Sequence, residues 1–253
     1  MLNEFLVSHA YAGLLVFIRV GCAFIVMPGF SAVYVQPQVR LMIAAGLTLI
    51  LYPSVLPMIP PAPTTVWKLV LLIISEGFYG LYMGLLAQFA LGALHFAGSV
   101  IGQYTGLTNA MVFDAVTDQQ GALLVGLFST IAVVLMFALN LHHLVFMALY
   151  ESYSVFQPGS PPDGGAHLQM AADLMSRSAF LALKLASPFV LFAVVFQTGM
   201  GLLARLSPQL NIFFVALPLQ ILFGLALIWI SLPAMMMWFL GFYESVFQVF
   251  LPD

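Results

Sequence analysis

The sequence contains few charged residues, one cysteine and no cluster of basic side chains. Charged residues make up 6% of its 253 residues, against roughly 25% in ordinary soluble domains. That is too few to cover a water-soluble surface, so the composition predicts a membrane protein. The six basic residues are scattered among nine acidic ones, which argues against nucleic-acid binding and against a polybasic lipid anchor. Cys22 has no second cysteine with which to form an intrachain disulfide.

Recognisable processing and catalytic motifs are also lacking. The N-terminal stretch carries Glu4 rather than a basic cluster, and Arg19 interrupts its apolar run, so we expect a retained helix rather than a cleaved signal peptide. No HExxH, GxSxG, Walker or CxxC motif occurs. His142 and His143 are adjacent and would point in different directions on a helix, which favours a structural role. The sequence therefore predicts no enzyme, no cofactor and no metal site.

Long apolar runs are the main feature that is present. A membrane-spanning helix needs about 20 apolar residues, and the last run, 211–251, is about twice that length and contains Pro218 and Pro233, which predicts a kink or a hairpin. Two proline-rich stretches, 52–63 and 157–165, predict turns or short extended loops. We predict an all-α integral membrane protein, one helical domain with about six long, kinked hydrophobic segments. The six runs lie near residues 9–27, 41–60, 67–94, 121–149, 179–204 and 211–251.

Several glycines recur at the spacing of one helix face. Gly80 and Gly84 are four residues apart, and so are Gly98, Gly102 and Gly106. Small residues at this spacing let the backbones of neighbouring helices approach closely in a membrane. Internal helix packing is the first interpretation, and a subunit contact or a hinge is the alternative.

Two charged residues, Arg19 and Glu76, lie inside apolar runs. An ionised side chain at the bilayer centre costs at least about 2.5–3.5 kcal/mol unless it is paired or hydrated. We predict that the two residues pair, with each other or with a partner chain. A proton or ion pathway is the alternative, but a relay usually uses more intramembrane carboxylates than this sequence has.

A glycine- and hydroxyl-rich insert, residues 101–121, separates two apolar runs near the middle of the chain. Asp114 and Asp118 would share a face if the insert were helical, but Glu151 is remote in sequence, so they do not form a convincing set of metal ligands. A solvated loop is the simple interpretation of these carboxylates.

The stretch 204–221 predicts a tight corner between two apolar helices. Arg205 would complement the negative end of the first helix dipole. Ser207 and Pro208 are the N-cap and first-turn residues expected where the next helix begins, and Gln209 adds a polar group beside them.

Three stretches resemble one protein family: GQYTGLTNAMVFD in the insert, NLHHLVFMALYESY at 140–153, and the corner. With them the chain resembles, over roughly residues 10–250, the FliR family of flagellar export-gate proteins and its virulence type III secretion counterparts, called SctT. The pattern R-x-x-P-Q-x-x-x-F in the corner is quite specific for this family; its residues are Arg205, Pro208, Gln209 and Phe213.

The resemblance implies a core subunit of an export gate in the bacterial inner membrane, at the flagellar basal body. In the family, one such chain joins FliP-like and FliQ-like subunits around a central channel for unfolded substrates, and FlhA and FlhB are further export components. Residues 1–178 would form a P-like part and 179–253 a Q-like helical hairpin. The family's assemblies are largely raised out of the bilayer, so the apolar runs would contact other subunits as well as lipid.

The resemblance also implies a role for the insert, because in the family a loop of this chain projects into the channel and helps to plug it. Glycine permits irregular backbone inside protein or against a water-filled cavity. Methionine and phenylalanine would fill the lumen with apolar side chains, and methionine can adapt its shape because it is flexible. Many relatives follow the aspartate with proline, whereas this chain has Ala115, so we expect a different turn there. The matching plug positions are Gln103, Gly106, Met111, Phe113, Asp114 and Asp118.

Two alternatives stay open from the sequence. Both the flagellar and the virulence branch of the family fit. A stand-alone proton-coupled secondary transporter is the rival from another class, motivated by Arg19, Glu76 and the broken helices.

Overall fold

In the computed structural model the chain is a series of helices joined by short connections. The structure describes residues 2–31, 35–110, 122–160, 162, 164–206 and 212–251, and none of them lies in a strand. The predicted all-α fold is therefore confirmed. The helices are α1 (Leu2–Val26), α2 (Pro37–Val55), α3 (Val66–Tyr104), α4 (Leu107–Ala110), α5 (Ala122–Ala138), α6 (Leu141–Val155), α7 (Gly164–Leu206) and α8 (Ile212–Gln248).

Most of these helices are long and apolar enough to cross a membrane. Five of the described helices qualify singly, and the pair α5 and α6 makes a sixth if it counts as one broken span. The predicted number of apolar segments is confirmed. With 39 and 43 residues, α3 and α7 are each about 60 Å long at 1.5 Å per residue. That is about twice the thickness of a bilayer's hydrocarbon core.

Prolines end fewer helices than the sequence predicts. Helix α2 continues through Pro53, and one 3₁₀ turn extends the helical segment to Met58, so the predicted break at 52–63 begins only after that turn. Helix α8 is continuous through Pro218 and Pro233, so of the two predicted alternatives for 211–251, a kink or a hairpin, the hairpin is excluded. Each proline removes one backbone hydrogen bond, and long apolar helices tolerate that loss when neighbouring groups satisfy the freed carbonyl.

The apolar run near 121–149 is interrupted where the sequence predicts one segment. Helix α5 ends at Ala138 and α6 begins at Leu141. Between them Asn140 has a φ of 59°, in the left-handed region that asparagine adopts more readily than most residues. The lone amide in an apolar stretch was the available signal for this break.

The chain divides into two compact units. The division that the resemblance implies, at residue 178, stays a prediction. Unit 1 comprises Met1–Ala90, Met136–Met175 and Tyr243–Asp253, and unit 2 comprises Leu91–Leu135 and Ser176–Phe242.

Within unit 1, helices α1 and α3 pack backbone against backbone. A Cβ atom added at Gly80 would lie 2.0 Å from the carbonyl oxygen of Arg19, and one at Gly84 would lie 2.6 Å from that of Ala23. Both distances are far inside van der Waals contact, so any side chain here forces the helices apart. Close approach of this kind is how helices gain packing energy where lipid provides no hydrophobic drive.

Substituting Gly80 with alanine should destabilise the protein. The added methyl group meets backbone rather than a movable side chain, so we expect a cost of about 1–3 kcal/mol, typical of overpacking. Gly92→Ala on the same helix is the matched control, because a Cβ there has no atom within 4 Å. The control should be neutral or stabilising by up to about 1 kcal/mol. Unfolding of both variants in detergent measures the difference, and equal stability would contradict the close α1–α3 contact.

Candidate functional site

The first candidate site is a buried charge cluster around Arg19 in unit 1. Arg19 on α1 and Glu76 on α3 are both fully buried. The Arg19 Nε donates to Glu76 Oε2 at 2.7 Å, and Nη2 donates to Oε1 at 3.0 Å. This forked geometry is the strongest form of arginine–carboxylate contact. The structure thus brings the two predicted intramembrane charges together.

The end of α6 supplies the remaining polar contacts of Arg19. Its Nη1 donates to the Ser152 hydroxyl at 3.2 Å, and Nη2 donates to the backbone carbonyl of Phe156 at 3.0 Å. The Phe156 carbonyl lies just beyond α6, where helix carbonyls have no partner within the helix. Arg19 therefore ties the end of α6 to α1 and α3.

Two tyrosine rings cover the guanidinium group. The Arg19 Cζ lies 3.9 Å from the ring centroid of Tyr153 and 5.1 Å from that of Tyr79. Tyr79 in turn stacks on Phe156 with 5.1 Å between ring centroids. A ring face attracts a cation and excludes water. The cluster is buried and its charges pair with each other, which favours a structural role over an ion pathway.

The second candidate site, which we call the insert anchor, comprises Tyr104, Thr105, Gly106, Gln220 and Gly224 in unit 2. Helix α3 ends at Tyr104, and Gly106 follows with a φ of 77°, the left-handed conformation that commonly terminates helices. The buried Thr105 hydroxyl donates back to the Ile101 carbonyl at 2.8 Å. The anchor therefore fixes the backbone at the end of α3, near the start of the insert.

Helix α8 holds this end of α3 by one hydrogen bond and one close contact. The Gln220 Nε2 donates to the Tyr104 carbonyl at 2.9 Å, which satisfies a helix-end carbonyl. A Cβ added at Gly224 would lie 2.6 Å from the Thr105 Cβ. Glycine is thus required there for the two segments to touch.

The other predicted glycines also lie at contacts within unit 2. A Cβ at Gly98 would lie 3.1 Å from the backbone of Val125 on α5, and one at Gly102 would lie 3.3 Å from the Thr108 hydroxyl. These distances are tight but leave room for small adjustments. Gly98 and Gly102 therefore let α3 approach α5 and α4 closely.

The remaining predicted site residues are only partly placed. Gln103 is exposed on α3, and Arg205 is exposed in the last turn of α7. Phe213 belongs to the first turn of α8. Four plug positions and two corner positions lie outside the residues that the structure describes: Met111, Phe113, Asp114, Asp118, Pro208 and Gln209.

Sequence reasoning missed the partners that complete both sites. At the charge cluster these are Ser152, Tyr153 and the Phe156 carbonyl, and the only sequence signal was the polar YESY stretch at the end of α6. At the insert anchor they are Gln220 and Gly224. A lone amide and a glycine four residues later inside an apolar helix were the available signal there.

Comparison with known proteins links the chain to bacterial export. Residues 10–246 match the family described as bacterial export proteins, family 1. The flagellar biosynthetic protein FliR of Caulobacter vibrioides is 30% identical over 242 residues, which cover 96% of each chain. FliR of Bacillus subtilis is 30% identical over 213 residues, 83% of this chain and 82% of that one. The secretion system apparatus protein SsaT of Salmonella typhimurium is 26% identical over 163 residues, 64% of this chain and 63% of its own.

Removing both members of the buried ion pair should cost much less than the sum of the costs of removing each one alone. Arg19→Met leaves a buried carboxylate without its partner and Glu76→Met leaves a buried guanidinium, so we expect each to cost about 3–5 kcal/mol. The double variant, with two apolar side chains of suitable length, should cost much less than the sum. Unfolding of the three variants in detergent gives the coupling free energy. Lys68→Met, which removes an exposed charge, is the control; additive costs of the pair would contradict the coupling.

Gly224→Ala should loosen the insert anchor. Its methyl group would overlap Thr105, and we expect a loss of about 1–3 kcal/mol from such overpacking. Gly241→Ala on the same helix is the control, because a Cβ there meets no atom within 4 Å. Protection of the Thr105 and Gly106 amides against hydrogen exchange should fall in Gly224→Ala alone. Unchanged protection in both variants would count against the anchor.

Proposed function

The chain belongs to the bacterial export proteins, family 1, and we propose that it is a structural, channel-forming subunit of a flagellar type III protein export gate. The observation that carries this proposal is the extent of the match to proteins named FliR, which reaches 96% of both chains. A match confined to one apolar helix would reflect only shared composition. A match over the whole series of helices supports the proposal that this chain shares both the architecture and the function of those proteins.

In the proposed function the chain does not itself supply the energy for export. Arg19 and Glu76 neutralise each other in a buried ion pair, and the part of the chain that the structure describes contains no group of three side chains suited to hold a metal ion. We propose that the chain forms and gates a conduit for unfolded substrates, and that other components of the export apparatus supply the energy.

The proposed partners follow from the exposed apolar surface. Helices α7 and α8 expose many large apolar side chains, more than a protein can leave in water, so lipid or neighbouring subunits must cover them. We propose FliP-like and FliQ-like subunits, with FlhA and FlhB as further components, in the bacterial inner membrane. The side chains concerned include Leu183, Leu191, Val195, Leu202, Leu222, Phe223, Trp229, Ile230 and Met237.

We further propose that the insert plugs the closed channel. The insert anchor supports this proposal, because it fixes the end of α3, which is also the first part of the insert. A plug must be held at its base and yet rearrange locally, and segments of low local stability serve that purpose. The side chains proposed to fill or line the closed channel are Met111, Phe113, Asp114 and Asp118.

A virulence secretion system is the second candidate, favoured by the match to SsaT. That match covers 64% of this chain, against 96% for a FliR protein, so we place the flagellar system first. Deleting the gene should abolish external filaments and swimming while leaving growth unchanged. Intact filaments in the deletion strain would exclude the flagellar assignment.

Replacing residues 109–118 by a glycine-serine linker of equal length should make the assembled gate leak. The linker keeps the chain continuous and leaves the insert anchor intact, but removes the bulky side chains proposed to fill the lumen. We expect conductance to small ions in membranes that contain the assembled complex. A linker of equal length in place of residues 59–65, which connect α2 to α3, is the control.

Assembly must be verified in the same preparation by co-purification of the partner subunits. A fully assembled gate that stays sealed would contradict the plug. If the chain purifies alone and takes up solutes against a proton gradient in liposomes, the secondary transporter replaces the export gate as the explanation.

A further inference from the structure

An apolar groove lies in unit 1, between α1 and α2. Its volume is about 380 Å³. The residues of α1 that line it include Ile18, Gly21, Cys22 and Ile25, which recur at a spacing of three or four residues and therefore form one stripe along the helix. A Cβ atom added at Gly21 would meet no atom within 4 Å. The groove thus has space for an apolar group beside Gly21.

Helix α2 contributes the opposite wall of the groove and a single cation. Arg40, Leu41 and Ala44 line the groove, and their spacing places them on one face of α2. Arg40 lies in the first turn of α2 and is the only charged residue of that helix. No carboxylate is among the residues lining the groove. The groove therefore combines an apolar lining with one positive charge.

The Arg40 side chain is held in place by a hydrogen bond that leaves part of its guanidinium group available. Its Nε donates to the backbone carbonyl of Phe30 at 2.9 Å, in the connection after α1. Within the part of the chain that the structure describes, the side chain forms no other hydrogen bond and no ion pair. The N–H groups of Nη1 and Nη2 form a planar fork that matches the oxygens of a phosphate. Arg40 is thus positioned to bind an anionic group.

The two helices place this cation near one surface of the membrane. The candidate spans Ser8–Val26 and Pro37–Met58 are joined by a short connection, so the end of α1 and the start of α2 lie on the same side. Arg40, in the first turn of α2, is then at the level of lipid headgroups. From Ile25 back to Ile18 the groove follows α1 about 10 Å toward the bilayer centre, and the hydrocarbon of one leaflet is about 15 Å deep.

The order of groups along the groove matches that of a phospholipid. A cation lies at headgroup level, and the lining below it is apolar at the depth of the acyl chains. Ile25 and Leu41 are 55% and 60% exposed, so the groove is accessible from its sides. A polypeptide helix of a partner would fill the apolar part, but it would need an anionic group at headgroup level to satisfy Arg40. A lipid from the surrounding leaflet brings both groups in one molecule.

We propose that the groove between α1 and α2 binds an anionic phospholipid, with its phosphate on Arg40 and an acyl chain lying along Gly21 and Ile25. The site is separate from the Arg19 charge cluster, which lies on the face of α1 that meets α3. The proposal does not rest on the proposed export function, because it requires only that α1 and α2 cross a membrane. Failure of the export assignment would leave it standing.

The first test uses Cys22, the only cysteine of the chain, which lines the groove and is half-buried. Alkylation of the purified full-length wild type by a small maleimide therefore reports on the groove without an engineered residue. We expect phosphatidylglycerol to slow the alkylation and native mass spectrometry to show one lipid retained per protected chain. Phosphatidylcholine, which has no net charge, should need about a fivefold higher concentration for half-protection, as expected for the loss of attraction to one cation.

The second test changes the cation and the space separately. Arg40→Gln should also require about fivefold more phosphatidylglycerol for half-protection, and Arg40→Lys, which keeps the charge, should require less than Arg40→Gln. Gly21→Leu should fill the groove and abolish retention of the lipid. Gly46→Leu on α2 is the matched control, because a Cβ there also meets no atom within 4 Å but Gly46 does not line the groove. It should retain lipid as the wild type does, and circular dichroism checks that all variants are folded.

Several results would overturn the proposal. They are unchanged Cys22 alkylation at saturating phosphatidylglycerol, half-protection at equal concentrations of the two lipids, and equal lipid retention by folded Gly21→Leu and Gly46→Leu. Protection of Cys22 by inorganic phosphate alone would assign an ion site instead of a lipid site. Capture of a polypeptide rather than lipid by a photocrosslinker at Leu41 in native membranes would assign the groove to a partner protein. If Gly21→Leu does not fold, the Cys22 measurements on the wild type and the Arg40 variants still decide.

Discussion

The buried contact between Arg19 and Glu76 sets the arrangement of unit 1. A guanidinium group in an apolar helix is tolerated only if its charge is balanced and its N–H groups are bonded, and here a carboxylate, a hydroxyl and a backbone carbonyl do this together. The same residue also makes the closest backbone contact, because its carbonyl oxygen lies against Gly80, one turn after Glu76 on α3. Close packing and charge pairing are therefore two aspects of one contact, since the short distance between the helix backbones lets both side chains meet.

In both units, a side chain that is distant in sequence donates a hydrogen bond to a backbone carbonyl at a helix end. In unit 1, Arg19 donates to the carbonyl of Phe156 just after α6; in unit 2, Gln220 donates to the carbonyl of Tyr104 at the end of α3. Helix-end carbonyls lack partners within the helix, and an apolar environment makes an unsatisfied one costly. A distant side chain that caps the carbonyl fixes the direction in which the chain leaves the helix. The segment that follows α3 is the remainder of the insert.

The sequence predicts the helices and the unusual residues within them, namely the spaced glycines and the isolated charges. It does not predict all the residues that contact them. Apolar runs, glycine spacing and two isolated charges are local signals, and they point to the helices, to Gly80 and Gly84, and to Arg19 and Glu76. The Tyr104 and Phe156 carbonyls have no signal of their own, because every residue has a carbonyl group. Their donors are 116 and 137 residues away along the chain. The prolines left two outcomes open, a kink or a hairpin, and only the structure decides against the hairpin, since α8 continues through Pro218 and Pro233.

The order of Arg19 and Glu76 along the chain has a consequence during synthesis. Glu76 follows Arg19 by 57 residues, and at the usual rate of translation this separates their emergence from the ribosome by about 3–11 s. Throughout that interval the Arg19 cation has no Glu76 to pair with, so its side chain costs at least about 2.5 kcal/mol if α1 lies at the bilayer centre. The pairing that removes this cost becomes available to α1 only once α3 has been made.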